Sequence, residues 1–483
     1  MATQLGHRLA FSSRRQREWG TFVGRFTERG STMRAYGRLF VPILVFAVVL
    51  VSALPALADA AWQPLGSLST GTGPVEYPGV AADASGNSVF VWQRLDGTTN
   101  CYGGPCLRIQ TRARSVAGIL SPIQSLSPSG RNASLPHVAV DSNGNAVFVW
   151  QSSDGTFLRI QTRSRSAAGT LSSTLTLSAP YQSAEYPQVA VDANGNAVFV
   201  WKRYDGINDR IQARTLSAAG TRGSTQSLSA AGGDATYPQV DVDPNGNAVF
   251  AWERCCYDGT NNQRIQTRAR SAAGILSSTQ TLSAVGQTAS WAQVAVDPNG
   301  NAVFTWIGTD GRAQARARST AGTLSSTETL SPTGYGAIFP RVGVDRSGNA
   351  VFLWQRFNGM ENSVQVRARS ATGTLSSTQT LGGTGTAVPV GAEIAVDPQG
   401  NAVIVWEHEE GPYPCCTRSE EAVVRSADGT LGSTQVLSPA DHVAAEPAVA
   451  VDPNGDAFAV WKEWTTGIAS LPDSQIHAAV GSY

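Results

Sequence analysis

One block of sequence recurs eight times along the chain: Val-Ala-Val-Asp-x-x-Gly-Asn-Ala-Val-Phe-Val-Trp, with small variations. Its acidic residue falls at Asp83, Asp141, Asp192, Asp243, Asp297, Asp345, Asp397 and Asp452, at intervals of 48 to 58 residues. Each block ends on an indole, at Trp92, Trp150, Trp201, Trp252, Trp306, Trp354, Trp406 and Trp461. A unit of this length cannot bury its own hydrophobic faces and must stack on copies of itself. Each repeat reads as four short strands. A PQVAVD-like strand comes first. NAVFVW follows, apolar on both faces, as suits a strand packed between neighbouring sheets. An alternating RIQTRARS and a final STQTLS complete the unit. Turns of the type DPNGN and SAAGTL join the first to the second strand and the third to the fourth, with Gly where positive φ is needed.

The last repeat stops at SQIHAAVGSY, after its third strand, and residues 61–69, AWQPLGSLS, resemble the strand it lacks. A strand from one end of the domain that completes the sheet at the other closes a circle and removes two open edges. The expected fold is therefore all-β: an eight-bladed β-propeller of four-stranded antiparallel blades over residues 61–483, closed by the N-terminal strand. A seven-bladed ring with one irregular unit is the alternative.

Residues 1–60 have a different character. Arg34 and Arg38 precede an uncharged apolar run at 39–54, and ALADA follows at 56–60. That order is the n-region, h-region and small-residue cleavage site of a secretory signal. The n-region is extended, with Met33 a possible start; an uncleaved membrane anchor is the competing reading. The predicted location is secreted or cell-surface, with no membrane association after cleavage. Six cysteines, Cys101, Cys106, Cys255, Cys256, Cys415 and Cys416, suit that compartment, and their spacing proposes local disulfides 101–106, 255–256 and 415–416. No Cys or His pair has zinc spacing.

Charge narrows the partner. The chain has 36 basic and 36 acidic residues, but residues 1–60 take eight Arg and three acidic residues, leaving a net charge of −5 for the remainder. That balance argues against nucleic acid, whose phosphates need a positive surface.

The repeats differ most in two connections: second to third strand, and fourth strand to the next repeat. In an up-and-down blade both lie at one end. The ring thus has a uniform rim and a varied rim, with all six cysteines on the latter. Loops on a rigid scaffold are where binding groups gather. Aromatic residues open the first strand in five repeats: Tyr77, Tyr186, Tyr237, Trp291 and Phe339. They are either ligand-stacking platforms or wedges between blades. The seventh varied loop carries Glu407, His408 and Glu409 near Cys415–Cys416. Carboxylates there could serve as acid and base, hold calcium, or form a solvated cluster. Trp464 in the last loop is a further candidate. The DPNGN acids read as side-chain caps of tight turns. The third-strand arginines, such as Arg163, Arg165, Arg268 and Arg270, are expected to stack on aromatic faces and pair with carboxylates.

The Asp-x-x-Gly-Asn-x-x-x-x-Trp block is loosely similar to the Asp-box of sialidases and related propellers, Ser-x-Asp-x-Gly-x-x-Trp, and the chain resembles secreted bacterial propeller repeat proteins, including lectin-like ones. The resemblance implies the ring and a structural role for the box. Sialidase chemistry would need an Arg cluster, a Tyr nucleophile and a Glu partner in the central cup, and no motif assigns those roles to positions here. The four histidines beyond residue 60, His137, His408, His442 and His477, share no motif. No nucleophile elbow, metalloprotease or phosphate-loop pattern occurs, so no catalytic residue, metal or cofactor is expected. The expected function is a monomeric, non-catalytic propeller that binds a carbohydrate or protein partner through its varied rim. A sialidase-like glycoside hydrolase or lyase and an envelope spacer are the alternatives.

Overall fold

A computed structural model describes residues 61–71, 73–101, 104–255, 262–334, 336–357, 362–382, 391–410, 417–440, 442–465 and 473–483. The expected signal segment, Cys256, Cys415 and Cys416 lie outside these residues. No helix among the described residues is long and apolar enough to cross a membrane.

The chain forms eight four-stranded antiparallel sheets. In the first blade the strands run Val75–Ala82, Ser88–Cys101, Gly104–Arg114 and Gln124–Ser125 from the axis outwards. The innermost strand of each blade touches those of both neighbours, and Val75–Ala82 meets His442–Val451 of the eighth blade, so the circuit is closed. The seven-bladed alternative is thereby excluded. Closure uses the predicted segment: Gln63–Ser67 pairs antiparallel with Gln475–Ser482 and supplies the eighth blade's fourth strand. Leu68 N–H donates to the Ile476 carbonyl at 2.7 Å, and Ser69 Oγ accepts the Ile476 N–H at 2.9 Å.

The second strand is buried on both faces, as its apolar run requires. Phe90 and Trp92 pack on Val460 and Ile476 of the eighth blade. Val89 and Val91 pack the other way, on Phe148 and Trp150 of the second. All eight repeat tryptophans are at most 2% exposed. Burying one indole contributes roughly 4–6 kcal/mol at the usual area coefficient, so the blade seams hold the ring together.

The fourth strand is shorter than its sequence suggests, only two residues in most blades. Serine hydroxyls take over on either side of it. Ser127 Oγ accepts the Ile109 N–H at 2.9 Å and Ser121 Oγ accepts the Ala113 N–H at 3.0 Å. The same pair recurs in the second blade, from Ile160 to Ser178 at 3.0 Å and from Ser164 to Ser172 at 2.9 Å. A side-chain acceptor replaces a ladder carbonyl, so pairing persists where strand geometry ends. Ser69 occupies the corresponding place in the closing segment.

The Asp-x-x-Gly-Asn block builds the uniform rim. Asp83 Oδ1 accepts the N–H groups of Ser85 and Asn87 at 2.8 and 2.9 Å, and Oδ2 accepts Asn87 Nδ2 at 2.7 Å. Asn87 Oδ1 then accepts the Val116 N–H of the adjacent turn at 2.9 Å. The glycine answers a second demand besides positive φ: a Cβ on Gly144 would lie 2.7 Å from Asp83 Oδ2 of the preceding blade. These acids are turn caps. Among the described residues no group of three or more His, Cys, Asp or Glu is placed to hold a metal.

The third-strand arginines depart from expectation in their partners. Arg163 Nε donates to the Ser172 carbonyl, and Arg165 Nε reaches Gln124 of the previous blade at 3.0 Å. Arg270 reaches Gln226 in the same way at 2.9 Å. Arg369 does find a carboxylate, Glu328, at 2.8 Å. Backbone carbonyls and glutamine amides serve where carboxylates were expected, because the outer strands supply carbonyls throughout and open with a glutamine at Gln124, Gln226, Gln280, Gln379 and Gln435.

Candidate functional site: the channel mouth on the varied rim

The five aromatic candidates share a backbone state that the sequence did not announce. Tyr77, Tyr186, Tyr237, Trp291 and Phe339 all have φ between 49° and 58°. Leu135 (53°), Glu446 (58°) and Gly391 (82°) complete the set, one residue per blade. Left-handed conformation in bulky residues costs of order 1–3 kcal/mol each and persists only where the surroundings fix it. Hydrogen bonds across the blade seams provide part of that fixing. The Leu135 N–H donates to Gln93 Oε1 at 3.1 Å, the Trp291 N–H to Glu253 Oε1 at 2.6 Å, and the Tyr77 N–H to Glu446 Oε2 at 2.7 Å. The acceptors at Gln93 and Glu253 directly follow the repeat tryptophan.

Three of the five aromatic side chains are exposed, Tyr77 by 48%, Tyr237 by 47% and Trp291 by 39%, and Tyr186 and Phe339 are half-buried. Tyr186 stands 5.3 Å from Tyr237 and Trp291 5.1 Å from Phe339, centroid to centroid. Each opens an innermost strand, at the end opposite the Asp turns. Together they surround the mouth of the central channel on the varied rim.

Below this ring, the next channel-facing position reads Gly79, His137, Gln188, Gln239, Gln293, Arg341, Glu393 and Ala448 around the circle. His137 Nε2 lies 3.3 Å from Gln188 Nε2. Arg341 grips Glu393 with Nε at 2.8 Å and Nη2 at 2.6 Å. His137 is pushed down to about 4 because the narrow channel strips water from its charged form. Deeper, Asp241 accepts the N–H groups of Val242 and Val296 at 2.8 and 2.7 Å, and burial raises it to about 6. The axis is therefore polar, with carboxylates and an arginine.

The repeats drop side chains on one side of this mouth. Gly79 and Ala448 stand where others have His, Gln, Arg or Glu, and Gly391 stands where five blades have aromatics. A cavity of about 400 Å³ opens there, lined by Tyr77, His137, Glu393 and Glu446 with Pro78, Pro136 and Pro447. Clefts of about 350, 420 and 410 Å³ also occur at uniform-rim seams, but they repeat from blade to blade and belong to the scaffold.

The charged candidates of the seventh loop form a second group. Glu407 is 2% exposed, with Arg418 Nη1 at 2.8 Å from Oε1, and Glu409 is 3.7 Å from Arg418 Nη2. His408 points to the other face of the sheet, with Nδ1 3.6 Å from Glu421. Across the strand from Glu407 lies Glu420, fully buried, whose oxygens make no hydrogen bond to any described residue. In other blades that position is Ile, Val or Ala. Burial pushes Glu407 up to about 7 and raises Glu420 well above the usual carboxylate range. Glu407 and Glu420 are buried, while His408, Glu409, Arg418 and Glu421 are half-buried. In the eighth blade Glu463 joins His442 and, at 3.5 Å, His477, and accepts the Trp461 indole N–H at 2.7 Å. Trp464 lies under Lys462, with Nζ 5.4 Å from its ring centroid.

Cys101 and Cys106 form the predicted disulfide, with Cα atoms 5.2 Å apart, and Cys255 is also disulfide-bonded. Sequence reasoning counted Glu420 in the charged seventh loop and noted His137 without a motif, but missed Glu393 and Glu446. Aligning the repeats column by column would have found them, since each breaks its column.

The fold defines an eight-bladed, four-stranded propeller. Solved structures similar to it include the lectin BP39L from Burkholderia pseudomallei, at 10% identity and TM-score 0.48 over 75% of this chain and 99% of that one. The polysaccharide lyase Uly1 is similar at 11% identity and TM-score 0.46, over 71% and 89%. The NanB sialidase of Streptococcus pneumoniae is similar at 11% identity and TM-score 0.37, over 89% and 72%. No family model and no curated protein sequence matches the chain.

Proposed function

We propose that this is an exported, monomeric propeller that binds a carbohydrate at the channel mouth of its varied rim. The observation that carries the reading is the cavity of about 400 Å³, opened by the loss of side chains at Gly79, Gly391 and Ala448 and flanked by exposed Tyr77. Its size lies within the range of small-ligand pockets, and an aromatic face beside convergent acceptors is what a sugar ring with its hydroxyls requires. The disulfide suits an oxidising compartment. Tyr77→Ala is expected to weaken glycan binding on the order of ten-fold, about 1.4 kcal/mol, with the fold intact by circular dichroism. Calorimetry with oligosaccharides identified on a glycan array measures this, and unchanged affinity would remove Tyr77 from the site.

A second reading, a glycoside hydrolase or lyase, is favoured by one observation: Glu407, held near 7 beside Arg418, has the proton affinity of a general acid. It requires turnover. Polysaccharides incubated with the protein should gain reducing ends, or absorbance from new double bonds, and Glu407→Gln should abolish either signal. If neither appears across a broad panel, the binding role stands alone.

A further inference from the structure

Resting on the reading of this cavity as a carbohydrate site, we propose that it selects a sugar bearing a free ammonium group and turns away acidic sugars. The wall is rich in acceptors and poor in donors. Glu446 and Glu393 bring two carboxylates from adjacent blades. Pro78, Pro136 and Pro447 have no N–H to offer, and the Tyr77 N–H is taken by Glu446. Among the described residues no Lys or Arg lines the cavity. Arg341 is held by Glu393, with three contacts of 2.6 to 2.9 Å, and Lys462 stays 3.8 Å from Glu446 on its far oxygen. His137 is the one imidazole of the wall, and it is neutral at physiological pH because its proton affinity is depressed.

A carboxylate-bearing sugar entering here would lose its hydration shell and find the nearest cations, Arg341 and Lys462, already paired with Glu393 and Glu446, and few N–H groups, which is a heavy desolvation cost. An ammonium carries three donors and no acceptor, the complement of this wall. Glu446 retains acceptor capacity after taking one N–H, since a carboxylate has about four lone-pair sites. The stacking face of Tyr77 adds a cation–π contribution for a charged amine close to its ring.

Binding of three probes to the whole protein at about pH 6, where a sugar amine is protonated, tests the assignment. The probes are a glucosamine tetramer, an N-acetylglucosamine tetramer and a galacturonate tetramer. The glucosamine tetramer should bind on the order of ten-fold more tightly than the acetylated one. Its affinity should fall with added salt, and the galacturonate tetramer should bind more weakly than both. Glu446→Gln keeps an acceptor for the Tyr77 N–H and should weaken the glucosamine tetramer far more than the acetylated one, bringing the ratio of the two affinities close to one. Equal affinity for the first two probes, tightest binding of galacturonate, or an unaltered preference in Glu446→Gln overturns the selectivity. If acetylated binding still depends on Tyr77 in that event, the carbohydrate reading survives it. If none of the probes binds, nor any other glycan, both fall together.

Discussion

Replacing Leu68 with alanine is expected to destabilise the whole ring by roughly 2–5 kcal/mol, the usual cost of emptying a fully buried leucine site. Leu68 is 0% exposed and packs with Val75, Phe90 and Trp92 of the first blade and Val460, Ile476 and Ala478 of the eighth. Its side chain thus joins both partners of the closing seam. Its equivalents, Leu126, Leu177 and Leu228, occupy the same place in ordinary blades. The comparison that isolates closure is Leu68→Ala against Leu177→Ala. Both lose similar contacts, but only the first loosens a strand whose attachment also completes the circle. Urea unfolding should show the Leu68 variant with the lower midpoint. It should also show faster proteolysis near Trp62, whose ring fits the space left by the missing side chain of Gly481. Equal midpoints and unchanged proteolysis would mean that the N-terminal strand is an ornament on a ring held by its other seams.

Glu420→Ile is expected to act in the opposite direction and stabilise the protein. Seven blades already use Ile, Val or Ala at this position, so the substitution restores the repeat's own solution. A buried carboxyl without a hydrogen-bond partner costs about 1–3 kcal/mol or more, and the gain should be of that order. The pH dependence carries the sign. A carboxyl whose proton affinity is raised by folding binds its proton more tightly in the native state, so stability declines as pH rises from the unfolded value upwards. Glu407, raised from 4.5 to about 7, makes that decline run from about pH 4.5 to about pH 7, and Glu420, raised well above 4.5 by burial, adds to it. Glu409, Arg418, Glu421 and Glu446 are the neighbouring charges, and Arg418 alone among them opposes the rise. The melting temperature of the wild type should fall between about pH 5 and pH 7, in the order-of-magnitude range of several degrees, and Glu420→Ile should flatten that slope. Parallel profiles for the two proteins would show that Glu420 titrates as an ordinary surface acid.

The ring was legible because its information is periodic. The Asp, Gly, Asn and Trp of each block satisfy local demands, a cap, a positive φ and a seam, so spacing alone reveals them. The closing strand was legible for the same reason: Leu68 and Ser69 copy Leu126 and Ser127. The site was only partly legible. The aromatic column stood out, yet its meaning depended on a left-handed backbone at Tyr77 and its equivalents. Such a conformation is imposed by acceptors from the neighbouring blade, at Gln93, Glu253 and Glu446. Those partners lie 38 to 369 residues away along the chain. The cavity was harder still, because Gly79 and Gly391 mark it by what they omit. The outer strand was read as longer than it is because serine side chains mimic ladder carbonyls there, and sequence does not distinguish the two.

The closing sheet is sewn from both ends of the 61–483 segment: the Ala61 N–H meets the Ser482 carbonyl at 3.3 Å, and Tyr483 reaches across to Asp397. Residues 61–483 are in effect a loop of eight links with a single covalent gap, and the packing at that gap copies the packing at an ordinary seam. Joining the two ends through a short linker and cutting instead at another blade's outer connection would give the same object with its seam relocated, so the place where the thread begins is a matter of genetic order rather than of architecture.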